Sequence, residues 1–199
     1  MPDHGELETD LFADDSNQYT IGDNVDEVMR KIQKHANDIS IYAKDNSLTI
    51  HPGKSQILIM SKDKFIGPLP NVTLKGEHVN VVEKAKCLGV LIDNTMSWEP
   101  HTNSICKSFS QKLKNLYKMN RLDKSTLKTI YHTGILPSIL YGIIIWGNCA
   151  EHLLDDIEKI HIKAARYIER IKKQTPDSEV LSSAKGIPLI CYYKKTDIL

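Results

Sequence analysis

Leu11-Phe12-Ala13-Asp14-Asp15 carries a short apolar stretch straight into two adjacent carboxylates, and Ser16-Asn17 follow. Tyr19-Thr20-Ile21 then resumes β-prone character ahead of Gly22. The segment therefore reads as a hairpin with the carboxylates at its tip. Packing alone does not call for two neighbouring charges there. A hard divalent cation does, because Mg²⁺ prefers oxygen ligands and is commonly held by one or two carboxylates plus substrate phosphates. Two-metal phosphoryl transfer uses such groups to hold ions ~3.5–4 Å apart. The other reading of the same residues is a solvated acidic turn.

At 199 residues the chain has room for one domain or two small ones, and a chain of this size buries roughly 70% of its unfolded surface. Net charge is +1, so there is no global basic signature, but the charge is unevenly placed. Residues 1–45 carry 4 Lys/Arg against 11 Asp/Glu, and residues 99–175 carry 13 against 7. An acidic start and a basic later half suit a metal site followed by a phosphate-contacting surface, or two solvated helix faces. Cys87, Cys106, Cys149 and Cys191 are widely spaced, without a Cys-x-x-Cys. That argues against a zinc ribbon or a disulfide framework and favours a reducing compartment. The acidic N-terminus is not a signal peptide, so an intracellular site, nuclear or cytoplasmic rather than secreted, is expected. The longest apolar run, residues 135–146, contains Pro137 and Gly142; it is too short and too broken to span a bilayer.

Along the chain, Asp23-Asn24 precede Val25, Val28, Met29, Ile32, Ala36, Ile39 and Ala43, apolar at intervals of three and four. This predicts a capped helix that fades at Asp45-Asn46 and packs beneath a sheet. A turn at Pro52-Gly53 leads into a strand over 56–60, and residues 72–82 read as a small hairpin around Gly76-Glu77. Residues 86–93 read as one strand, with Gly89 marking a bulge or a close backbone approach. Helical spacing follows in Ile105, Phe109, Leu113, Leu116 and Tyr117, and again after Ser125-Thr126. Pro137 predicts a corner. A last helix has Leu153, Ile157, Ile160, Ala164, Ile168 and Ile171 in its apolar stripe. Its basic face carries Lys159, Lys163, Arg166, Arg170, Lys172 and Lys173, and it is expected to end at Thr175-Pro176.

Phe12-Ala13-Asp14-Asp15 resembles the [Phe/Tyr]-Ala-Asp-Asp signature of reverse transcriptases, specifically those of non-LTR (LINE-type) retrotransposons. Further short motifs resemble the same family in the same order. Leu48-Thr49-Ile50-His51-Pro52-Gly53-Lys54-Ser55 is similar to its Leu-x-Leu-Asn-x-x-Lys-Thr segment, with His51 in place of asparagine. Cys87-Leu88-Gly89-Val90-Leu91-Ile92-Asp93 is similar to its Tyr-Leu-Gly-[Val/Ile]-x-Leu-Asp segment, with Cys87 in place of the aromatic. Trp98-Glu99-Pro100-His101, Leu136-Pro137 through Tyr141-Gly142, and Trp146-Gly147 continue the likeness. It runs from about Leu11 to Leu189, and the collinearity is its strong part.

The resemblance implies an α+β fold. Residues 1–98 would be the C-terminal part of a polymerase palm, a small antiparallel sheet with a helix. Residues 99–175 would form an α-helical, thumb-like region, and residues 176–199 a truncated tail. Asp14 and Asp15 would hold Mg²⁺, with Mn²⁺ as a substitute. Lys54 would lie near the nucleotide triphosphate and help the pyrophosphate leave. Leu88, Gly89 and Val90 would form the primer grip. Lys107, Lys112, Lys114, Lys163, Arg166 and Arg170 would contact nucleic acid. The partners implied are an RNA template, a DNA primer and dNTP, with no membrane. The family's other metal-binding aspartate and its fingers are expected upstream, since Asp3 and Asp10 sit too close to the hairpin to serve. The chain thus reads as a fragment of an RNA-directed DNA polymerase that is inactive alone. Two other readings stay open: a non-catalytic nucleic-acid-binding remnant using the basic helices, and a small α+β protein in which Asp14 and Asp15 are solvated.

Overall fold

Two antiparallel strands, β1 (Glu8–Phe12) and β2 (Asp15–Tyr19), come first in the computed structural model, which describes residues 8–13, 15–61 and 69–183. Their register sets Glu8 opposite Tyr19 and Phe12 opposite Asp15. Thr9 and Asp10 are strand residues. Nearly every side chain of this hairpin is exposed.

The chain divides into two compact units, Met1–Gly89 with Asp93–Met96, and Val90–Ile92 with Ser97–Leu199. In the first, helix α1 (Val25–Asp45) begins where Asn24 Oδ1 accepts the Glu27 N–H at 2.9 Å. Asp26 and Glu27 in the first turn and Lys44 in the last complement its dipole. Its inner face, Met29 and Ala36, packs with Ile57, Val72, Leu74 and Val79. A single side chain keys the helix to a strand. The Gln33 amide donates to the Thr73 carbonyl at 3.0 Å and accepts the Thr73 N–H at 2.7 Å, completing the edge of β4 (Thr73–Leu74).

β4 pairs antiparallel with β5 (Glu77–His78) across Lys75-Gly76, whose φ values are 53° and 81°. Two successive positive φ values mark a type I′ turn, which favours glycine second; the turn therefore sits one residue earlier than Gly76-Glu77. β3 (Gln56–Leu58) and β6 (Asn80–Val82) pair in parallel. The expected purely antiparallel sheet is thus corrected to a mixture of short pairs. The β4–β5 hairpin lies between β3 and β6 in the chain, so the connection crosses over instead of reversing.

A second correction concerns residues 84–93. They form β7 (Lys84–Cys87) and β8 (Val90–Asp93), separated by Leu88-Gly89 at φ 45° and 89°. The glycine supplies a tight turn, where a bulged single strand was expected.

The second unit is helical. α2 (Glu99–Lys118) starts at Trp98, which is buried at φ 64°, and Pro100 occupies the first turn, where its missing N–H costs nothing. Thr102 Oγ1 donates back to the Trp98 carbonyl at 3.0 Å. α3 (Lys124–Ile130) is capped by Asp123. It runs into a π-helical turn at Tyr131–Ile135, where the Leu136 N–H reaches the Tyr131 carbonyl five residues back. Pro137 explains that widening: within an α-helix its ring would press on the carbonyl four residues earlier. α4 (Leu136–Leu140) follows, then α5 (Ile143–Trp146) after Gly142 at φ 66°. A Cβ at Gly142 would stand 3.1 Å from Val90 Cγ2, so both conformation and space require glycine there.

α6 (Glu151–Glu169) packs on α2, and the two run parallel: Cys106 lies near Asp156, and Tyr117 meets Tyr167. Their shared core includes Phe109, Leu113, Leu116, Ile157, Ile160 and Ala164, with Trp146 and Leu127. Arg170, at φ 54°, ends α6. The helix is therefore shorter than its apolar pattern suggests, and Lys172 and Lys173 are not on its face. α7 (Asp177–Ser183) returns Val180 against Ile162 and Ala165.

Because a β-branched side chain at φ 89° carries a cost of about 1–2 kcal/mol or more, Gly89→Val should lower the thermal unfolding midpoint. Gly53→Ala, where an added Cβ meets nothing within 4 Å, should leave it unchanged or slightly raised. Equal midpoints for Gly89→Val and the unaltered chain would contradict the turn assignment.

Candidate functional site

The hairpin tip is built on a left-handed residue that is not glycine. Ala13 stands at φ 54°, a conformation that disfavours any Cβ. Asp14 lies outside the described residues. Asp15 is the first residue of β2, exposed, and paired through the backbone with Phe12. Its carboxylate has no ion-pair partner among the described residues, so it is available as a hard oxygen donor. That chemistry fits Mg²⁺ or Mn²⁺. Among the described residues no three His, Cys, Asp or Glu side chains converge as a metal site. The hairpin exit is tied to α1 by Lys31, which donates to the Ile21 carbonyl at 3.2 Å and pairs with Glu27 at 2.8 Å.

Lys54 ends a 3₁₀ turn (Pro52–Lys54) and is exposed just before β3. Leu88 is 42% exposed at the tip of its turn, whereas Val90 is buried in the core of the second unit. The three residues Leu88, Gly89 and Val90 therefore present one accessible side chain, that of Leu88.

The basic residues differ in availability. Lys107, Lys114 and Lys163 are exposed. Lys112 is half-buried and donates to Ser138 Oγ. Arg166 is committed internally: its guanidinium donates to the Lys172 carbonyl at 3.0 Å, to the Thr175 carbonyl and to the Asp177 carboxylate. It fastens the end of α6 to the start of α7. Arg170 is exposed and reaches the Leu122 carbonyl at 3.5 Å.

A polar cluster that periodicity conceals lies within the helical unit. His161, on α6, is 3% exposed and shares a hydrogen bond of 2.5 Å between its Nδ1 and the Tyr131 hydroxyl. Its Nε2 is buried without a hydrogen-bond partner. A cavity of about 20 Å³ beside it, lined by Lys128, Tyr131, His132 and Glu169, has room for one water. Glu169 pairs there with Lys124, and with Lys128 at 3.6 Å. Burial pushes the His161 imidazole down to about 4. In the sequence His161 is simply a polar interruption of an apolar stripe. His101 is also structural: its Nδ1 accepts the Leu91 N–H at 3.2 Å, and its ring meets Trp146 edge-on at 5.7 Å.

The probable RNA-directed DNA polymerase from transposon BS of Drosophila melanogaster is 24% identical over 161 residues, 79% of this chain and 18% of the relative. The RNA-directed DNA polymerase from mobile element jockey of Drosophila funebris is 24% identical over 168 residues, 82% of this chain and 18% of the relative. Homologues of this chain are thus RNA-directed DNA polymerases of non-LTR retrotransposons, and the chain spans about a fifth of their length. No family model matches the chain, and no solved structure matches it.

The buried imidazole fixes a pH dependence. His161 is neutral when folded, while the unfolded chain protonates near pH 6.5, so its stabilising contribution is complete above that pH and is lost as pH falls toward 4. His101 and His132, both also lowered by burial, act in the same direction. Between pH 7 and 5 the His161 share is about 2 kcal/mol. Urea unfolding should show that loss, and His161→Asn should flatten the slope. An unchanged slope in the variant would assign the acid sensitivity elsewhere.

Proposed function

We propose that the chain is the part of a non-LTR element's RNA-directed DNA polymerase that carries the acidic hairpin of the palm and the helices of the thumb. The observation that carries this reading is collinearity: matches to such polymerases cover about four-fifths of the chain, and Asp15 opens the second strand of a tight hairpin. The exposed Leu11, Phe12 and Ile21, at 76%, 64% and 67%, support it further. An isolated two-stranded hairpin is marginal in water, and such side chains suit a strand pair that joins a larger sheet.

In this reading Asp14 and Asp15 hold Mg²⁺, or Mn²⁺ in its place. When bound, the metal supplies charge neutralisation at the transferring phosphoryl group. The turn supplies the geometry. Successive strand residues point to opposite faces, so neighbouring aspartates share one ion only where the backbone reverses. Lys54, an exposed cation on a short turn, suits the developing charge on departing pyrophosphate. Leu88 presents an apolar contact for a primer end. Lys107, Lys114, Lys163 and Arg170, which are exposed, would meet phosphates of template and primer, whereas Lys112 is engaged by the Ser138 hydroxyl and Arg166 by the chain between α6 and α7. RNA template, DNA primer, dNTP and an intracellular setting belong to the whole polymerase.

Two-metal transfer takes carboxylates from more than one strand, and this hairpin supplies one adjacent pair. Mg²⁺ dehydrates reluctantly, so one pair holds it weakly. The 199-residue chain, given primer–template, nucleotides and Mg²⁺ or Mn²⁺, should not extend the primer. Extension that vanishes in an Asp14→Ala, Asp15→Ala control would show that the pair suffices. The chain should still retain nucleic acid on a filter, with affinity falling steeply with salt; salt-insensitive retention would remove the phosphate contacts.

A further inference from the structure

At the C-terminal ends of α2 and α6 the second unit opens into a cleft of about 340 Å³, lined by Asn120, Leu127, Arg166, Tyr167, Arg170 and Ile171. Ile171 and the buried Leu127 give it an apolar lining, Tyr167 gives it an aromatic one, and Asn120 and Arg170 bring polar and cationic groups to its rim. The Tyr167 ring is held in place twice. It packs edge-to-face on Tyr117 with ring centres 4.6 Å apart, and its hydroxyl donates to the Tyr117 carbonyl at 3.3 Å. Arg166 is buttressed as well, by its bonds to the chain between α6 and α7. The walls are therefore preorganised. Helical spacing also sets the exposed Lys163 one turn before Tyr167 and Lys114 one turn before Tyr117, so cations approach the aromatic pair from both helices.

We infer that this cleft receives an unpaired base of single-stranded nucleic acid, resting on the nucleic-acid reading above. The base lies against the Tyr167 ring, beside Ile171, while Arg170 and Lys163 meet the flanking phosphates. An aromatic wall accepts any base because every base has a π-face, and basic residues beside it track the backbone. Asn120 offers an amide donor and acceptor to a base edge. A continuous duplex does not suit the cleft, since its bases are stacked and paired, whereas an unstacked nucleotide fits its volume.

The test compares binding of the full chain to short oligo(dT) and to an abasic deoxyribose-phosphate strand of the same length. Both carry the same phosphates, but only the first carries bases. Oligo(dT) should bind about tenfold more tightly. Tyr167→Leu should abolish that preference while leaving abasic binding unchanged, and Tyr167→Phe should preserve it. Arg170→Gln should weaken both strands alike. Amide NMR shifts of the unaltered chain give a readout independent of any variant's folding: Asn120, Tyr167 and Ile171 should shift with oligo(dT) and not with the abasic strand. Equal affinity for the two strands would overturn the base cleft while leaving nucleic-acid binding intact. Binding of neither strand would overturn both.

Discussion

The register that places Phe12 opposite Asp15 is the constraint on which the account of the site depends. The chain reverses between them, and Ala13 takes φ 54° there without being glycine. Left-handed backbone at a Cβ-bearing residue costs of order 1 kcal/mol. A hairpin selected only for stability would place Asn-Gly or Asp-Gly there. Alanine followed by two acids in the sequence fits our proposal that this turn serves to aim carboxylates. An observed conformational outlier leads here to a functional reading, supported by the likeness to polymerases of mobile elements.

The helical unit solves a different problem, joining several short helices into one core despite Pro137 and Gly142. It does so with local departures from α geometry, each matched by a partner. The π turn before Pro137 relieves its ring, Gly142 makes room for Val90, and the Trp146 indole donates to the Tyr141 carbonyl at 2.9 Å. Trp98 and His101 anchor the start of α2, the latter by holding the Leu91 backbone. The motif around Trp98, Pro100 and His101 is thus accounted for by folding alone.

Much of this was legible from residue order because burial leaves a period. α1 and its Asn24 cap, the inner face of α2 and the stripe of α6 all follow from apolar spacing. What spacing does not encode is where hydrogen bonds go. Gly89 in a β-branched run is equally compatible with a bulge or a turn, and only the paired positive φ of Leu88 and Gly89 separates them. Arg166 reads as one more cation on a basic face, yet its acceptors come from a loop whose path periodicity cannot give. His161 and Tyr131 are 30 residues apart, so their hydrogen bond has no local signature. The parallel pairing of β3 with β6 is likewise non-local. At the site itself, the hairpin and the exposure of Asp15 were readable, because two acids after an apolar run leave few other structures.

We propose that the tip of the first hairpin holds a divalent metal. This is tested most directly by titrating the chain with Mn²⁺ and following amide NMR line broadening, which registers weak binding by a paramagnetic ion. The first resonances to broaden should be those of Ala13, Asp15 and Ser16, and Asp14→Asn with Asp15→Asn should remove the effect. Broadening centred elsewhere, or broadening at the tip that survives the double substitution, would contradict it.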